Sequence, residues 1–357
     1  MNAHSHESAP AILNIPLLDR LRSVSGFVAT ADLAESNDRE RLAADLDALE
    51  AFGFRIERHP YLGAAYRGPS PRLCPDQIEH ELGTRRIGRR IAVWNRLGST
   101  SDAAARGAGA AANDGLVILA EEQTTGRGQR GRSWSAPPRS CILMSVLLFP
   151  PSELSPIGRE SAGGTAWLTA LGAVATAGLV AEWTGCDARI KWPNDVRVDG
   201  RKVAGILVER VIRPRDDSPA SASEPETAVV VGVGLNVNLG VDDLAPELRG
   251  KATSLRILSG GGSFDRSELV RDLIRRLDRW YDEGVRDGPS SLNAAWRGLS
   301  EHLGRRVRVT TPLQTLAGRL VDLDFQCGLT IDPSDETRSQ GGSLVHIPIS
   351  SVVALEG

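Results

Sequence analysis

Three short segments of this 357-residue chain carry residue types suited to gripping an anion. The first is Thr125-Gly-Arg-Gly-Gln-Arg-Gly-Arg-Ser-Trp134, in which Arg127, Arg130 and Arg132 are spaced by glycines. Glycine lets such a loop reshape around a ligand, while planar guanidinium forks close on the oxygens of a phosphate. Gly126, Gly128 and Gly131 match the GxGxxG spacing of a dinucleotide turn, but Trp134-Ser-Ala-Pro-Pro138 forbids the helix that must follow it. A solvated basic turn is the plain alternative.

The second segment is Lys191-Trp-Pro-Asn-Asp195, followed by Arg201-Lys-Val-Ala-Gly-Ile-Leu-Val-Glu209. Only Lys191, Lys202 and Lys251 among 42 basic residues are lysines. A compact ammonium with three donors does what an arginine fork cannot, so Lys191, on a strand stopped by Pro193, is the expected positioned charge. A partly exposed strand lysine beside Trp192 is the structural alternative. Asp195 suits a metal-bound phosphate or a turn cap. In the third segment, Gly232-Val-Gly-Leu-Asn-Val-Asn238, the glycines allow a ligand or a second backbone to come close. Asn236 and Asn238 share a side at period two, where they would bind a nucleotide or satisfy a hairpin edge.

These segments need a scaffold, and the chain is long enough for two or three domains. Charged residues make up 24%, and the net charge of −3 excludes a protein that coats nucleic acid non-specifically. Cys74, Cys141, Cys186 and Cys327 lack metal-ligand spacing and read as reduced thiols of a cytoplasmic protein. Met1–Pro10 is polar, without the apolar stretch of a signal peptide. Ser161–Ala181 is uncharged but rich in Gly, Ala and Thr, which favours a buried helix over a membrane span.

Short helices are expected over Ile15–Arg22, Thr30–Glu35 and Asp38–Phe52, with Thr30 and Asp38 as N-caps, then a ribbon from Phe54–Glu57 and Ala65–Arg67. That set suggests a winged helix-turn-helix over residues 1–72. Residues 73–302 alternate strands and helices, with Asp199-Gly200 as a type I′ hairpin signal, Pro214–Thr227 as a dispensable loop, and Ser267–Tyr281 and Ser291–His302 as helices. This mixed order predicts an α+β domain on a mixed sheet. Residues 303–357 carry five short strands, as a small β-barrel does.

Taken in order, Gly98-Ser-Thr100, Glu122–Trp134, Lys191–Asp195, Arg201–Glu209 and Gly232–Asn238 closely resemble the motifs of the biotin–protein ligases. Leu303–Val309 and Ile347–Val353 look like that family's closing segments. The resemblance implies a class II aminoacyl-tRNA-synthetase-like catalytic domain, an N-terminal winged helix and a C-terminal SH3-like barrel. It further implies that biotin and ATP, with Mg2+, give biotinyl-5′-AMP and pyrophosphate, and that a lysine of a biotin carboxyl carrier protein, as in acetyl-CoA carboxylase, then takes the biotinyl group. By position in the motifs, the resemblance makes Ser99, Thr100, Ser101, Gln123, Arg127, Gly128, Gln129 and Lys191 biotin contacts. Arg130, Arg132, Trp134, Lys191, Asn194 and Asn236 fall to ATP and the adenylate, and Lys191, Arg127 and Arg132 to catalysis. Lys202 would orient the hairpin, and no metal ligand is assigned. Ser101 and Gln129 depart from the family's frequent Asn and Arg, and loss of that loop cation is expected to weaken retention of the intermediate.

Some members of that family also repress transcription through the winged helix. Here Glu35–Glu50 holds six acidic residues against Arg39 and Arg41, the reverse of what phosphate neutralisation requires, so strong operator binding is not expected. Two other readings compete: a lipoate or octanoate ligase or transferase of the same superfamily, and a DNA-binding regulator that senses biotin without ligating it. No membrane association is expected, and the chain would act as a monomer or homodimer.

Overall fold

The computed structural model describes residues 12–33, 38–151, 165–212, 227–333 and 343–357. The polar N-terminal decapeptide, nearly all of the expected 214–227 loop, and the ends of two expected helices at residues 161–164 and 34–35 lie outside them. The chain divides into two compact units, one reaching Glu81 and including Asp265–Glu268, the other comprising Leu82–Phe264 and Leu269–Gly357.

The first unit holds α1 (Ile15–Arg22), α2 (Thr30–Leu33), α3 (Arg39–Phe52) and α4 (Pro75–Glu79), with β1 (Phe27–Val28), β2 (Arg55–His59) and β3 (Gly63–Gly68). The strands form an antiparallel sheet in the order β1-β3-β2. Leu42, Leu46 and Leu49 fall at helical spacing on α3 and bury against Leu17, Leu18 and Leu21 of α1. Each such leucine contributes about 1.5–3 kcal/mol of transfer free energy. Asp38 caps α3 as expected, its carboxylate accepting from the amide of Arg41 at 3.0 Å, and Gly53 closes the helix at φ 113°. Thr30 does not cap α2: Ala29 O accepts the first helical bonds, so Thr30 is itself the first helical residue.

The second unit is built on a seven-stranded sheet in the order β4-β5-β6-β10-β9-β8-β7. Its strands are β4 (Arg90–Trp94), β5 (Leu116–Ala120), β6 (Cys141–Leu148), β7 (Ala188–Lys191), β8 (Asp195–Val198), β9 (Arg201–Ile212) and β10 (Thr227–Asn236). Only β4 and β5 run parallel, so the sheet is mixed, as the element order predicts. Asp199 and Gly200 both take positive φ, 49° and 72°, as the type I′ turn between β8 and β9 demands.

Side-chain alternation assigns the two faces. Ile118, Leu147 and Val230 turn toward Ala104 and Ala108 of α5 (Thr100–Arg106) and the turn after it. On the other face lies α6 (Ala166–Thr184), the uncharged helix, whose buried side chains include Trp167, Leu168, Leu171, Leu179 and Val180. It is long and apolar enough to cross a membrane, yet it is mostly buried in the protein, as the sequence suggests. A Cβ at Gly172 would stand 2.8 Å from Ile206 of β9, so glycine there lets helix and sheet meet closely.

Beyond α7 (Leu255–Leu258), α8 (Arg266–Asp287) and α9 (Ser290–Leu299), the chain ends in β11 (Arg306–Thr310), β12 (Thr315–Asp324), β13 (Gly328–Asp332), β14 (Val345–Pro348) and β15 (Ala354–Glu356). These make one antiparallel sheet in the order β14-β13-β12-β11-β15. Leu269, Leu273, Leu277 and Tyr281 of α8 are all buried, matching the expected apolar stripe. None of the four cysteines forms a disulfide.

Candidate active site

On the α5 face of the central sheet, β10 places Val230, Gly232, Gly234 and Asn236 in one row. Leu147, Ser145, Leu143 and Cys141 of β6 lie opposite on one side, and Glu209, Leu207 and Gly205 of β9 on the other. Glycine at alternate positions removes side chains from one face only, which leaves a trough between two filled rows. The trough is the floor of a cleft that encloses about 490 Å³ of space, part of it open to solvent.

One end of the cleft is polar and buried. Thr100 Oγ1 and Ser145 Oγ are 2.8 Å apart, Ser101 Oγ is 3.2 Å from Ser145 Oγ, and Gln123 Oε1 accepts from the Thr100 amide at 2.7 Å and its hydroxyl at 2.9 Å. Ser145 is fully buried, and a Cβ at Gly232 would stand 3.3 Å from Ser101 Oγ. Rotatable hydroxyls beside an amide can both donate and accept, which suits an uncharged polar head group. Leu143 and Leu207, in the rows on either side of the glycines, supply apolar wall.

The arginine–glycine segment forms a narrow hairpin over this cleft. Trp134 N donates to Gly126 O at 2.9 Å, Gly128 N donates to Arg132 O at 2.7 Å, and Arg127 and Ser133 bridge between them. A Cβ at Gly126 would overlap Trp134 O, and Arg130 and Gly131 turn the tip at φ 59° and 72°. Trp134 lies flat on the glycine pair Gly205/Gly234: a Cβ at Gly234 would come within 2.8 Å of the indole, and one at Gly205 within 3.3 Å.

The ammonium at this cleft belongs to Lys202 and not to Lys191. Lys202 Nζ donates to Asp195 Oδ1 at 2.6 Å and stands 5.6 Å from the Trp134 ring centroid. Lys202 is placed there by a bulge: Arg197 pairs with Lys202 but Val196 with Ala204, so Val203 is an extra residue on β9. The extra residue changes the alternation and brings Lys202 to the side of Gly205, where a Cβ would sit 3.0 Å from Nζ. Lys191 is absent from the cleft lining. Its charge instead adds to burial and to Arg197 and Arg305 in pushing buried His302 down to about 4, with burial the largest cause.

Of the other expected residues, Ser99, Thr100, Ser101, Gln123, Arg127, Gly128, Gln129, Trp134 and Asn194 line the cleft, and Arg130, Arg132 and Asn236 do not. Arg130 reaches the Val353 carbonyl. Asn236 donates to Thr253 O at 2.9 Å, and Asn238, just beyond β10, exchanges two bonds with the Phe264 backbone. Both amides therefore tie the return of the chain, the hairpin-satisfying alternative. Asn194 lines the cleft while donating to Ile206 O at 2.7 Å. Arg127 is held by two carboxylates, Asp102 at 2.9 and 2.8 Å and Glu209 at 3.2 and 3.1 Å. Those bonds, Asp102's first, raise the Arg127 pKa further, and Arg127 in turn lowers that of Asp102. Sequence reasoning missed Ser145, although a lone hydroxyl in the apolar run Cys141–Phe149 is a usable signal.

Residues 95–236 match the model of the biotin/lipoate A/B protein ligase family. A biotin--[acetyl-CoA-carboxylase] ligase of Mycobacterium tuberculosis is 35% identical over 291 residues, 77% of this chain and 98% of the relative. The chain belongs to the biotin–protein ligase family. A bifunctional ligase/repressor BirA of Bacillus subtilis is 27% identical over 316 residues, 88% of this chain and 89% of the relative. A biotin protein ligase from Aquifex aeolicus, solved in complex with biotin and ATP, shares the fold at a TM-score of 0.58 with 21% identity, over 75% of this chain and 99% of its own.

Proposed function

We propose that the chain joins biotin to ATP as biotinyl-5′-AMP and pyrophosphate and then passes the biotinyl group to a lysine of a carboxyl carrier domain, with the glycine-floored cleft as the site of both steps. One observation carries this reading: the same trough has a buried hydroxyl–amide end, a lysine ammonium and an arginine hairpin above it. Biotin's ureido head, which donates and accepts, lies at Thr100, Ser101, Ser145 and Gln123, with Ser99, Gly128 and Gln129 closing around it. Its aliphatic tail runs along the apolar wall toward Lys202.

Activating a carboxylate brings two anions together, and a fixed cation offsets their repulsion most effectively in a site already organised around it. Lys202 holds that charge between the biotin carboxylate and the α-phosphate, and Asp195 fixes its direction. This reassigns to Lys202 the role first expected of Lys191. Trp134 offers its indole to the adenine side, and Arg132, at the hairpin tip, faces the phosphates. Mg2+ would arrive bound to ATP and would supply charge neutralisation for the pyrophosphate; among the described residues no cluster of three His, Cys, Asp or Glu side chains is built to hold it. The hairpin's cover also limits water at the mixed anhydride.

The N-terminal helices and three-stranded sheet support a winged helix-turn-helix over residues 1–72, and the last five strands support an SH3-like barrel over residues 303–357. Exposed Asp47 and Glu40 on α3, with Asp45 and Glu50 beside them, support a unit that does not bind an operator strongly. A gel shift with specific, adenylate-dependent binding would overturn that part. The test of the main reading is ATP-dependent transfer of labelled biotin to a carrier domain, with lipoate run in parallel. Labelling by biotin alone is expected, and labelling by lipoate alone would move the chain to the lipoate branch.

A further inference from the structure

Building on the ligase reading, we propose that Asp102 and Glu209 convert Arg127 from a phosphate-binding arm into the fixed pivot of the arginine hairpin, and so restrain loss of the acyl-adenylate to water. Three guanidinium groups sit in the hairpin, and they are not equivalent. Arg127 makes four N–H···O contacts of 2.8–3.2 Å, two to Asp102 and two to Glu209. Its partners belong to rigid elements: Asp102 to the first turn of α5, and Glu209 to β9 in the same row as Gly205 and Leu207. Two carboxylates on one guanidinium, with Arg106 also acting on Asp102, leave the cluster with no net positive charge. Such a cluster does not draw a phosphate in, and to reach one Arg127 would have to abandon its carboxylate contacts.

The rest of the hairpin fits a pivot. Arg127 opens the two-stranded part of the loop, bridged to Ser133, so fixing its side chain fixes the base of the hairpin and with it Trp134 over Gly205 and Gly234. At the tip Arg130 is tied to the Val353 carbonyl, whereas the Arg132 side chain has no hydrogen-bond or ion-pair partner among the described residues. The charge available to a phosphate is therefore at the tip, and the carboxylates work at the base. Asp102 and Glu209 are positioning residues: they touch Arg127 and do not line the cleft.

The reaction that reports on the pivot is the leak, in which biotinyl-AMP and one water give biotin and AMP with cleavage of the acyl–phosphate bond. In the full chain, AMP release from biotin and ATP without carrier is compared for wild type, Asp102→Asn, Glu209→Gln, the double variant and Arg127→Lys. The last keeps the charge but loses the two-sided fork. Exposed ion pairs of this kind are modest, so each single variant is expected to release AMP roughly two- to fivefold faster, and the double variant about tenfold faster. The KM for ATP should stay within about twofold and the melting temperature near wild type. Arg127→Lys should leak like the double variant. Release from the double variant at the wild-type rate would overturn the proposal. So would a severalfold rise in its KM for ATP, because that would make Arg127 a phosphate-binding arm that the two carboxylates hold in place for ATP. Wild type without biotin-dependent ATP–pyrophosphate exchange would sink the ligase reading and this proposal together, while intact exchange with an unresponsive leak would sink the pivot alone.

Discussion

Replacing Lys202 with methionine separates the two lysines of the family motif. The substitution keeps the length of the side chain and removes the ammonium. Today the cleft holds Lys202 and Asp195 as a neutral pair at 2.6 Å, both partly exposed. After the change Asp195 remains as a lone negative charge where a carboxylate and a phosphate must meet. Two unit charges about 4 Å apart interact by roughly 4 kcal/mol at the effective dielectric near a protein surface. Both the lost attraction and the new repulsion act in the transition state, while solvent at a partly open site trims them. A loss of about 3–4 kcal/mol, or 10²- to 10³-fold in kcat/KM, is expected in biotin-dependent ATP–pyrophosphate exchange. Lys191→Met should stay within roughly threefold of wild type, as a substitution away from the cleft does. Adding Asp195→Asn to Lys202→Met should recover about tenfold, because it removes the stranded carboxylate. The reasoning is refuted if Lys191→Met is the crippled variant, or if Lys202→Met exchanges at nearly the wild-type rate.

Three further outcomes follow from the same geometry. Ser145→Ala deletes the buried hydroxyl bonded to Thr100 and Ser101, and should weaken biotin roughly tenfold by calorimetry while leaving ATP affinity alone; equal loss for both ligands would argue against a ureido site there. Gly234→Ala puts a methyl 2.8 Å from the Trp134 indole and should displace it, with a roughly tenfold rise in the KM for ATP and a smaller one for biotin. The reverse order would misplace the adenine. His302, buried with no hydrogen-bond partner on either ring nitrogen and Glu301 Oε1 3.9 Å from Nε2, holds a pKa of about 4 in the fold against about 6.5 when unfolded. The unfolded chain therefore takes up a proton that the native state refuses. Stability should be full above pH ~6.5 and fall as pH drops toward 4, by up to about 3 kcal/mol from this residue. His302→Leu should flatten that part of the profile in urea titrations, and an unchanged slope would count against the burial argument.

Much of this protein could be read from its residues because the relevant signals are local. The alternation of Gly232 and Gly234 marks a bare face wherever the strand lies, and Asp199-Gly200 specifies its turn from two φ angles. The stripe Leu269, Leu273, Leu277 and Tyr281 needs only the helical repeat. The order of the motifs was enough to indicate the family. The choice of lysine was not local. By simple alternation Lys202 belongs with Ala204 and Ile206, on the α6 face, and it reaches the cleft only because Val203 is bulged out against β8. Likewise Arg127 meets Asp102 and Glu209 across 25 and 82 residues of chain, and Asn236 and Asn238 spend their amides on a segment that returns 17 and 26 residues later. Register and long-range pairing are set by how whole strands settle against one another, and one extra residue in a ladder exchanges its inward and outward sides. The sequence determined which chemical groups were on hand, and the packing of the sheet decided which of them face the cleft.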